Sequence, residues 1–223
     1  MDFELARFNM VEQQIRPWRV LDASVLDSHF KLRREDFVPA SMRQLAFSDV
    51  EIPLHIDGVD TGQVMLAPKV DARLVQALEL KRGEHVLEIG TGSGWMAALL
   101  AERALRVVSL EIHPGLAQFA RDNLKRAGLH QLEVVHADGS KPSAITLAQW
   151  DVIVLSGSVE SLPADLIARL KAGGRLVGIF GRRPVMEAQC LTKLASGSIT
   201  KDTLFETIAA PLQGFARPSH FIL

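Results

Sequence analysis

From residue 84 onward, short apolar runs rich in Val, Ile and Leu alternate with longer stretches whose apolar positions recur every three or four residues. The first pattern suits a strand covered on both faces, and the second suits a helix laid against it. Their alternation predicts βαβ units feeding a mostly parallel sheet. Strands are predicted at residues 85–90, 106–111, 131–137, 150–156 and 174–180, with helices at 95–103, 115–127 and 164–170. Gly128 and Gly173-Gly174 stand where two of these helical segments should stop. Residues 189–194 and 203–209 are strand-like and separated by a short loop containing Ser196-Gly197-Ser198. They predict an antiparallel hairpin that closes an α/β, Rossmann-like sheet of about seven strands.

Residues 1–80 lack this alternation. Helical patches at 6–15, 21–30, 41–45 and 70–80 are interrupted by Pro17, Pro39, Pro53 and Pro68. By itself such a segment would make only a small core, which predicts an N-terminal helical cap packed on the same domain. Residues 81–223 then form the ligand-binding core.

Composition narrows the function classes. Hydrophobic residues make up 48% of the 223 and charged residues 23%, a balance that suits a folded globular chain rather than a disordered one. Twenty-five Lys and Arg against 26 Asp and Glu leave a net charge of -1, and no basic block interrupts the sequence. A nucleic-acid partner, which needs a positive surface to displace counterions, is therefore not expected. No apolar run approaches the roughly 20 residues of a membrane span, and the first residues lack the apolar core of a signal peptide. A cytoplasmic protein without a membrane partner is expected. The seven histidines show no paired ligand spacing and there is no Cys-x-x-Cys, so no metal site is expected. The lone Cys190 reads as a small hydrophobe inside a strand of a protein kept in a reducing compartment.

The chemistry concentrates at residues 86–94, Val-Leu-Glu-Ile-Gly-Thr-Gly-Ser-Gly. The first predicted strand runs straight into this glycine-rich turn and then into a helix. That is the carboxyl edge of the sheet, where open α/β folds bind ligands. A dinucleotide fold would place its third glycine where Trp95 stands, and a phosphate-binding loop would need Gly-Lys-Ser or Gly-Lys-Thr, which the chain lacks. The spacing Glu-x-Gly-x-Gly-x-Gly instead resembles that of S-adenosylmethionine-dependent methyltransferases. Glu111 ends the second strand 21 residues after Gly90, where a carboxylate can accept hydrogen bonds from both ribose hydroxyls. Asp138-Gly139 ends the third, where the methyltransferase pattern puts an acid beside the adenine amino group. Glu88 lies inside a buried strand, which is costly for a charge unless it is paired. It is expected to orient the methionine end of the cofactor or the amides of the turn.

Together with Met10-Val-Glu-Gln-Gln-Ile-Arg-Pro17, Arg34-Glu-Asp-Phe-Val-Pro39, Asp202-Thr-Leu-Phe205 and Pro211-Leu212, these residues resemble the protein-L-isoaspartate O-methyltransferase family over nearly the whole chain. The resemblance implies methyl transfer from S-adenosylmethionine to the α-carboxylate of isoaspartyl residues, a repair step for damaged proteins. It places Gly90, Thr91, Gly92 and Gly94 along the cofactor's amino-acid end, Glu111 on the ribose and Asp138 with Gly139 beside the adenine. The acceptor side departs from the pattern. Where the family carries Gln-Thr-Ile-Ser-Gln-Pro, with its serine beside the reacting carboxylate, this chain has Gln63-Val-Met-Leu-Ala-Pro68, so Leu66 replaces the serine. Ser156-Gly157-Ser158, beyond the fourth strand, offers hydroxyls that could compensate. A carboxylate acceptor, with a pKa of about 4, is already an anion at neutral pH and needs no general base. Three functions stay open: isoaspartyl methylation, O-methylation of another protein or small-molecule acceptor, and cofactor binding without catalysis. A nicotinamide oxidoreductase ranks behind them because of the glycine spacing.

Overall fold

The computed structural model describes residues 2–144 and 149–217. Its helices, in chain order, are α1 (Phe3–Met10), α2 (Ala23–Lys31), α3 (Pro68–Ala77), α4 (Trp95–Ala101), α5 (Pro114–Arg126) and α6 (Ala164–Ala168). Its strands are β1 (Ile52–Ile56), β2 (Val59–Met65), β3 (His85–Ile89), β4 (Arg106–Glu111), β5 (Leu132–His136), β6 (Trp150–Val159), β7 (Leu170–Arg182), β8 (Val185–Lys193) and β9 (Ile199–Glu206).

Seven strands form one sheet in the order β5-β4-β3-β6-β7-β8-β9. The pairs β5·β4, β4·β3, β3·β6 and β6·β7 are parallel, whereas β7·β8 and β8·β9 are antiparallel. The α/β sheet with a C-terminal antiparallel hairpin is thus as the sequence predicts. Chain order reverses at β3, which has β4 on one side and β6 on the other, and a crevice opens outside the strand ends at such a switch point. Alternating side chains of β3 feed opposite faces: Val86 joins the apolar cluster that holds α3 and α4, while Leu87 and Ile89 join the one on the other face.

Several boundaries differ from the prediction. β6 runs on to Val159, and β9 occupies Ile199–Glu206 where 203–209 was expected. β7 starts at Leu170, so Gly173 and Gly174 lie inside a strand and do not stop a helix. The helix expected at 164–170 ends at Ala168, because Leu170 already pairs with Trp150 as the first residue of β7. β8 starts four residues before the predicted 189, since β7 runs on to Arg182 and turns directly into Val185. Cys190 is a buried residue of β8, as expected.

The amino-terminal eighty residues hold more than helices. Residues expected only to link helical patches form the antiparallel hairpin β1–β2, with Ile52 opposite Met65 and Ile56 opposite Val59. Asp57 and Gly58, both at positive φ (52 and 78), make its two-residue turn, and this dipeptide is the hairpin signal that the sequence reading passed over. Pro53 fits because a two-stranded ribbon has unpaired edges. α1 is capped by Asp2, whose carboxylate accepts the Glu4 and Leu5 amides, and α2 by Asp22, which accepts the Ser24 amide. Met10 of α1, Leu26 of α2 and Ile15 between them share one apolar cluster with Val86, Val152 and Val177 of the sheet. No helix among the described residues is long and apolar enough to cross a membrane.

Candidate active site

The turn after β3 folds as it does because of where its glycines fall. Gly90, Gly92 and Gly94 have φ of 91, 54 and 85, backbone angles that L side chains rarely adopt. A Cβ on Gly90 would lie 2.6 Å from Leu212 Cδ2, and one on Gly92 would lie 3.3 Å from Leu54 Cδ1. The turn is therefore pressed between the carboxyl-terminal segment and the β1–β2 hairpin.

Glu111, at the end of β4, is almost fully buried and holds this turn. Its Oε2 accepts the Gly92 amide at 2.8 Å and its Oε1 accepts the His113 amide at 2.9 Å. Each oxygen keeps a lone pair for a further donor. A cleft of about 530 Å3, open to solvent, lies over these residues and is lined by Gln63, Gly90, Gly92, Glu111, Gly139 and Leu212 among others. Gly139 closes one end, where a Cβ would fall 2.5 Å from Ile89 Cγ2.

A second cleft of about 310 Å3 abuts the first and is lined by Met65, Leu66, Asp71, Thr91, Trp95 and Ser156, among others. Val64, Gly90, Gly92 and Ser156 belong to both. The β1–β2 hairpin, unseen in the sequence, thus supplies a wall to each.

Glu88 is fully buried, and its partners are hydroxyls rather than turn amides: Ser109 Oγ donates to Oε2 at 2.6 Å and Ser156 Oγ donates to Oε1 at 2.7 Å. Thr91 Oγ1 lies 2.5 Å from Ser109 Oγ and extends the chain to the glycine turn. Burial pushes the Glu88 carboxyl up to about 8; the two serine hydrogen bonds oppose this, while the carboxylates of Glu111 and Asp71 add to it. Ser109 was missed in the sequence, although its register opposite Glu88 in the β3·β4 pair could have flagged it.

Leu66 is buried on the smaller cleft, and its carbonyl accepts Arg34 Nη2 at 2.6 Å. Arg34 is fully buried, donating Nη1 to Asp71 Oδ2 at 3.0 Å and Nε to the Ala46 carbonyl at 3.0 Å. Burial pushes the Asp71 carboxyl up to about 6, against the pull of Arg34. This pair was also missed, because the two residues are 37 positions apart and meet only in the folded chain.

The remaining predicted residues divide. Gly94 caps α4 and faces α5, where a Cβ would meet Leu124 Cγ at 3.2 Å. Asp138 lies beside the lining residue Gly139, and its Oδ1 accepts both the amide and the hydroxyl of Ser140, at 2.9 and 2.6 Å. Ser158 gives its hydroxyl to the Ala209 carbonyl at 3.0 Å, which leaves Ser156 as the hydroxyl of that stretch on the clefts.

Comparison with known proteins decides which group of methyltransferases this arrangement represents. The family model for protein-L-isoaspartate(D-aspartate) O-methyltransferase matches residues 6–216. The chain belongs to that family. It is an S-adenosylmethionine-dependent methyltransferase, in agreement with the glycine spacing. It is 40% identical over 208 residues to a protein-L-isoaspartate O-methyltransferase of Methanoculleus marisnigri, covering 93% of this chain and 88% of the relative. It is 37% identical over 216 residues to protein-L-isoaspartate O-methyltransferase 2 of Marinobacter nauticus, covering 96% and 95%. A solved protein-L-isoaspartate O-methyltransferase shares the fold with a TM-score of 0.77 at 23% identity, covering 93% of this chain and 66% of the other. A Plasmodium falciparum structure assigned to the same activity and solved with S-adenosyl-L-homocysteine gives a TM-score of 0.76 at 19% identity, covering 96% and 99%.

Proposed function

We propose that this enzyme methylates the carboxylate of isoaspartyl residues in peptides and proteins, with its cofactor lying along the larger cleft and the acceptor entering the smaller one. The observation that carries this reading is the convergence of Glu111 and the Gly90–Gly92 turn on one cleft, in a chain that matches the family over residues 6–216. The residues fit such a cofactor. Gly90, Gly92 and Gly139 line the cleft at places packed too closely against Leu212, Leu54 and Ile89 to carry a side chain, and Glu111 keeps acceptor capacity for ribose hydroxyls. Thr91 is assigned to the methionine end, Asp138 with Gly139 to the adenine end, and Gly94 to the α4 start that supports the turn. When bound, the cofactor supplies an electrophilic sulfonium methyl group. The protein's part is alignment and exclusion of water, because the acceptor carboxylate is already a nucleophile at neutral pH.

Residues 1–80 act in this reading as a cap that belongs to the same domain and furnishes the acceptor wall through Val64, Met65 and Leu66. The buried thiol of Cys190 suits a reducing, cytoplasmic setting. The test is incubation of the purified protein with an isoaspartyl peptide and methyl-labelled S-adenosylmethionine. The expected product is a base-labile methyl ester, and cofactor binding without ester would defeat the isoaspartyl assignment.

One feature favours a second reading. Leu66 and Met65 make that wall apolar where the family pattern supplies a hydroxyl, which suits an acceptor with an apolar body next to its nucleophilic oxygen. Methylation of apolar hydroxy or carboxylic acids in preference to isoaspartyl peptide would establish it.

A further inference from the structure

The proposed acceptor wall carries Leu66 where the family pattern has a hydroxyl, and Ser156 of β6 lines the same cleft. Ser156 sits in β6 immediately across the switch point from Gly90, and it is the hydroxyl side chain common to both clefts. Thr91, also on the smaller cleft, is engaged with Ser109. We propose that Ser156 is the donor that meets the acceptor's carboxylate, and that Glu88 behind it sets which way that hydroxyl donates. This rests on the proposed methylation of a carboxylate.

The hydrogen count gives the argument. Ser156 has one hydroxyl hydrogen, and its oxygen lies 2.7 Å from Glu88 Oε1. When Glu88 is a carboxylate, which only accepts, the hydrogens of Ser156 and Ser109 both point at it. Ser156 then shows lone pairs to the cleft, and these repel an anion. When Glu88 carries a proton, it donates to Ser156 Oγ, and the Ser156 hydrogen is released toward the acceptor. Ser109 then donates to the other Glu88 oxygen, and the chain from Thr91 stays intact. The charged groups facing Glu88 are Glu111 from β4 and Asp71 from α3, both acidic. They favour the protonated form, and so does complete burial.

Chemical balance agrees with a positioning role for Glu88. The acceptor oxygen forms a bond to the methyl carbon as the carbon–sulfur bond breaks, and the electron pair of that bond goes to sulfur. No proton moves, so Ser156 and Glu88 hold the acceptor without being consumed.

The experiment is steady-state kinetics with an isoaspartyl peptide from pH 6 to 9, on wild type, Ser156→Ala and Glu88→Gln, with S-adenosylhomocysteine affinity measured by calorimetry. Loss of one hydrogen bond to a charged group corresponds to roughly a tenfold change or more. Ser156→Ala is therefore expected to raise the peptide KM by about that factor and by more than it weakens cofactor binding, since Ser156 also borders the larger cleft. Gln cannot lose a proton, and with its NH2 toward Ser156 and its oxygen accepting from Ser109 it donates to Ser156 at every pH. Glu88→Gln is thus expected to keep a low KM and to abolish the wild-type decline in kcat/KM above pH about 8. A Ser156→Ala enzyme with unchanged peptide KM, or a Glu88→Gln enzyme with an unchanged alkaline decline, overturns the assignment. No ester from wild type, with cofactor bound, overturns the carboxylate reading and this inference with it.

Discussion

Replacing Arg34 by Met probes the support beneath the wall of the smaller cleft. Methionine fills much of the space of the arginine stem, so the change isolates the guanidinium. That group is fully buried and makes three bonds, to Asp71 at 3.0 Å, to the Ala46 carbonyl at 3.0 Å and to the Leu66 carbonyl at 2.6 Å, and its central carbon lies 5.2 Å from the Trp95 ring centroid. Removing one partner of a buried ion pair costs about 3–5 kcal/mol, because the other charge is left without compensation. At about 2–4 °C per kcal/mol for a chain of this size, the melting temperature should fall by roughly 6–20 °C. Asp71, already pushed up to about 6 by burial, rises further without the arginine and takes a proton at low pH. A carboxyl with a raised folded-state pKa contributes stability below its unfolded value and loses it as pH rises through the folded one. The deficit of Arg34→Met is therefore smaller at pH 5 than at pH 8. Urea denaturation of Arg34→Met, Asp71→Asn and the double variant at both pH values measures the cost and the coupling. The reasoning fails if Arg34→Met lies within about 1 kcal/mol of wild type, or if the two single costs simply add.

Gly90→Ala forces φ of 91 on a residue with a side chain and sets its Cβ 2.6 Å from Leu212 Cδ2. Strain of about 1–3 kcal/mol is expected. Because Leu212 must give way and also lines the larger cleft, calorimetry should show weaker S-adenosylhomocysteine binding; unchanged affinity would count against that cleft as the cofactor site. Glu88 should also leave a signature on stability without ligand. Its folded value of about 8 exceeds the ordinary 4.5, so its contribution is present in full below pH 4.5 and is lost as pH rises through 8. At about 1.4 kcal/mol per unit the whole effect approaches roughly 5 kcal/mol, and the stability difference between wild type and Glu88→Gln should change monotonically across that window in pH-dependent denaturation.

The proposed cofactor half of the site was legible in the sequence for a geometric reason. In a parallel sheet every strand delivers its carboxyl end to the same edge, so Gly90 and Gly92 after β3, Glu111 at the end of β4 and Gly139 after β5 could be brought together by counting strands. The acceptor half has no such rule. Val64, Met65 and Leu66 come from a ribbon that precedes the sheet, and its only local sign is Asp57-Gly58. Arg34 reaches Leu66 across 32 residues, a meeting set by how the cap packs and not by any periodicity. Glu88 stood out as a charge in a buried strand, but its actual partners depend on register, since Ser109 lies opposite it in β4 while Ser156 comes from β6.

This division bears on how acceptor choice can change while the methyl donor stays the same. The elements that hold the turn, Glu111 and Gly92, are joined by a side chain to backbone hydrogen bond at 2.8 Å and leave little latitude at either position. The acceptor wall is fixed differently. Arg34 grips the carbonyl of Leu66, so the backbone there is held whichever side chain it carries. In the proposed reading a leucine takes the place of serine there without moving the loop, and the hydroxyl comes from Ser156, already backed by the buried carboxyl of Glu88. If the smaller cleft takes the acceptor, as proposed, the departure at position 66 alters its lining while Arg34 holds the backbone beneath it.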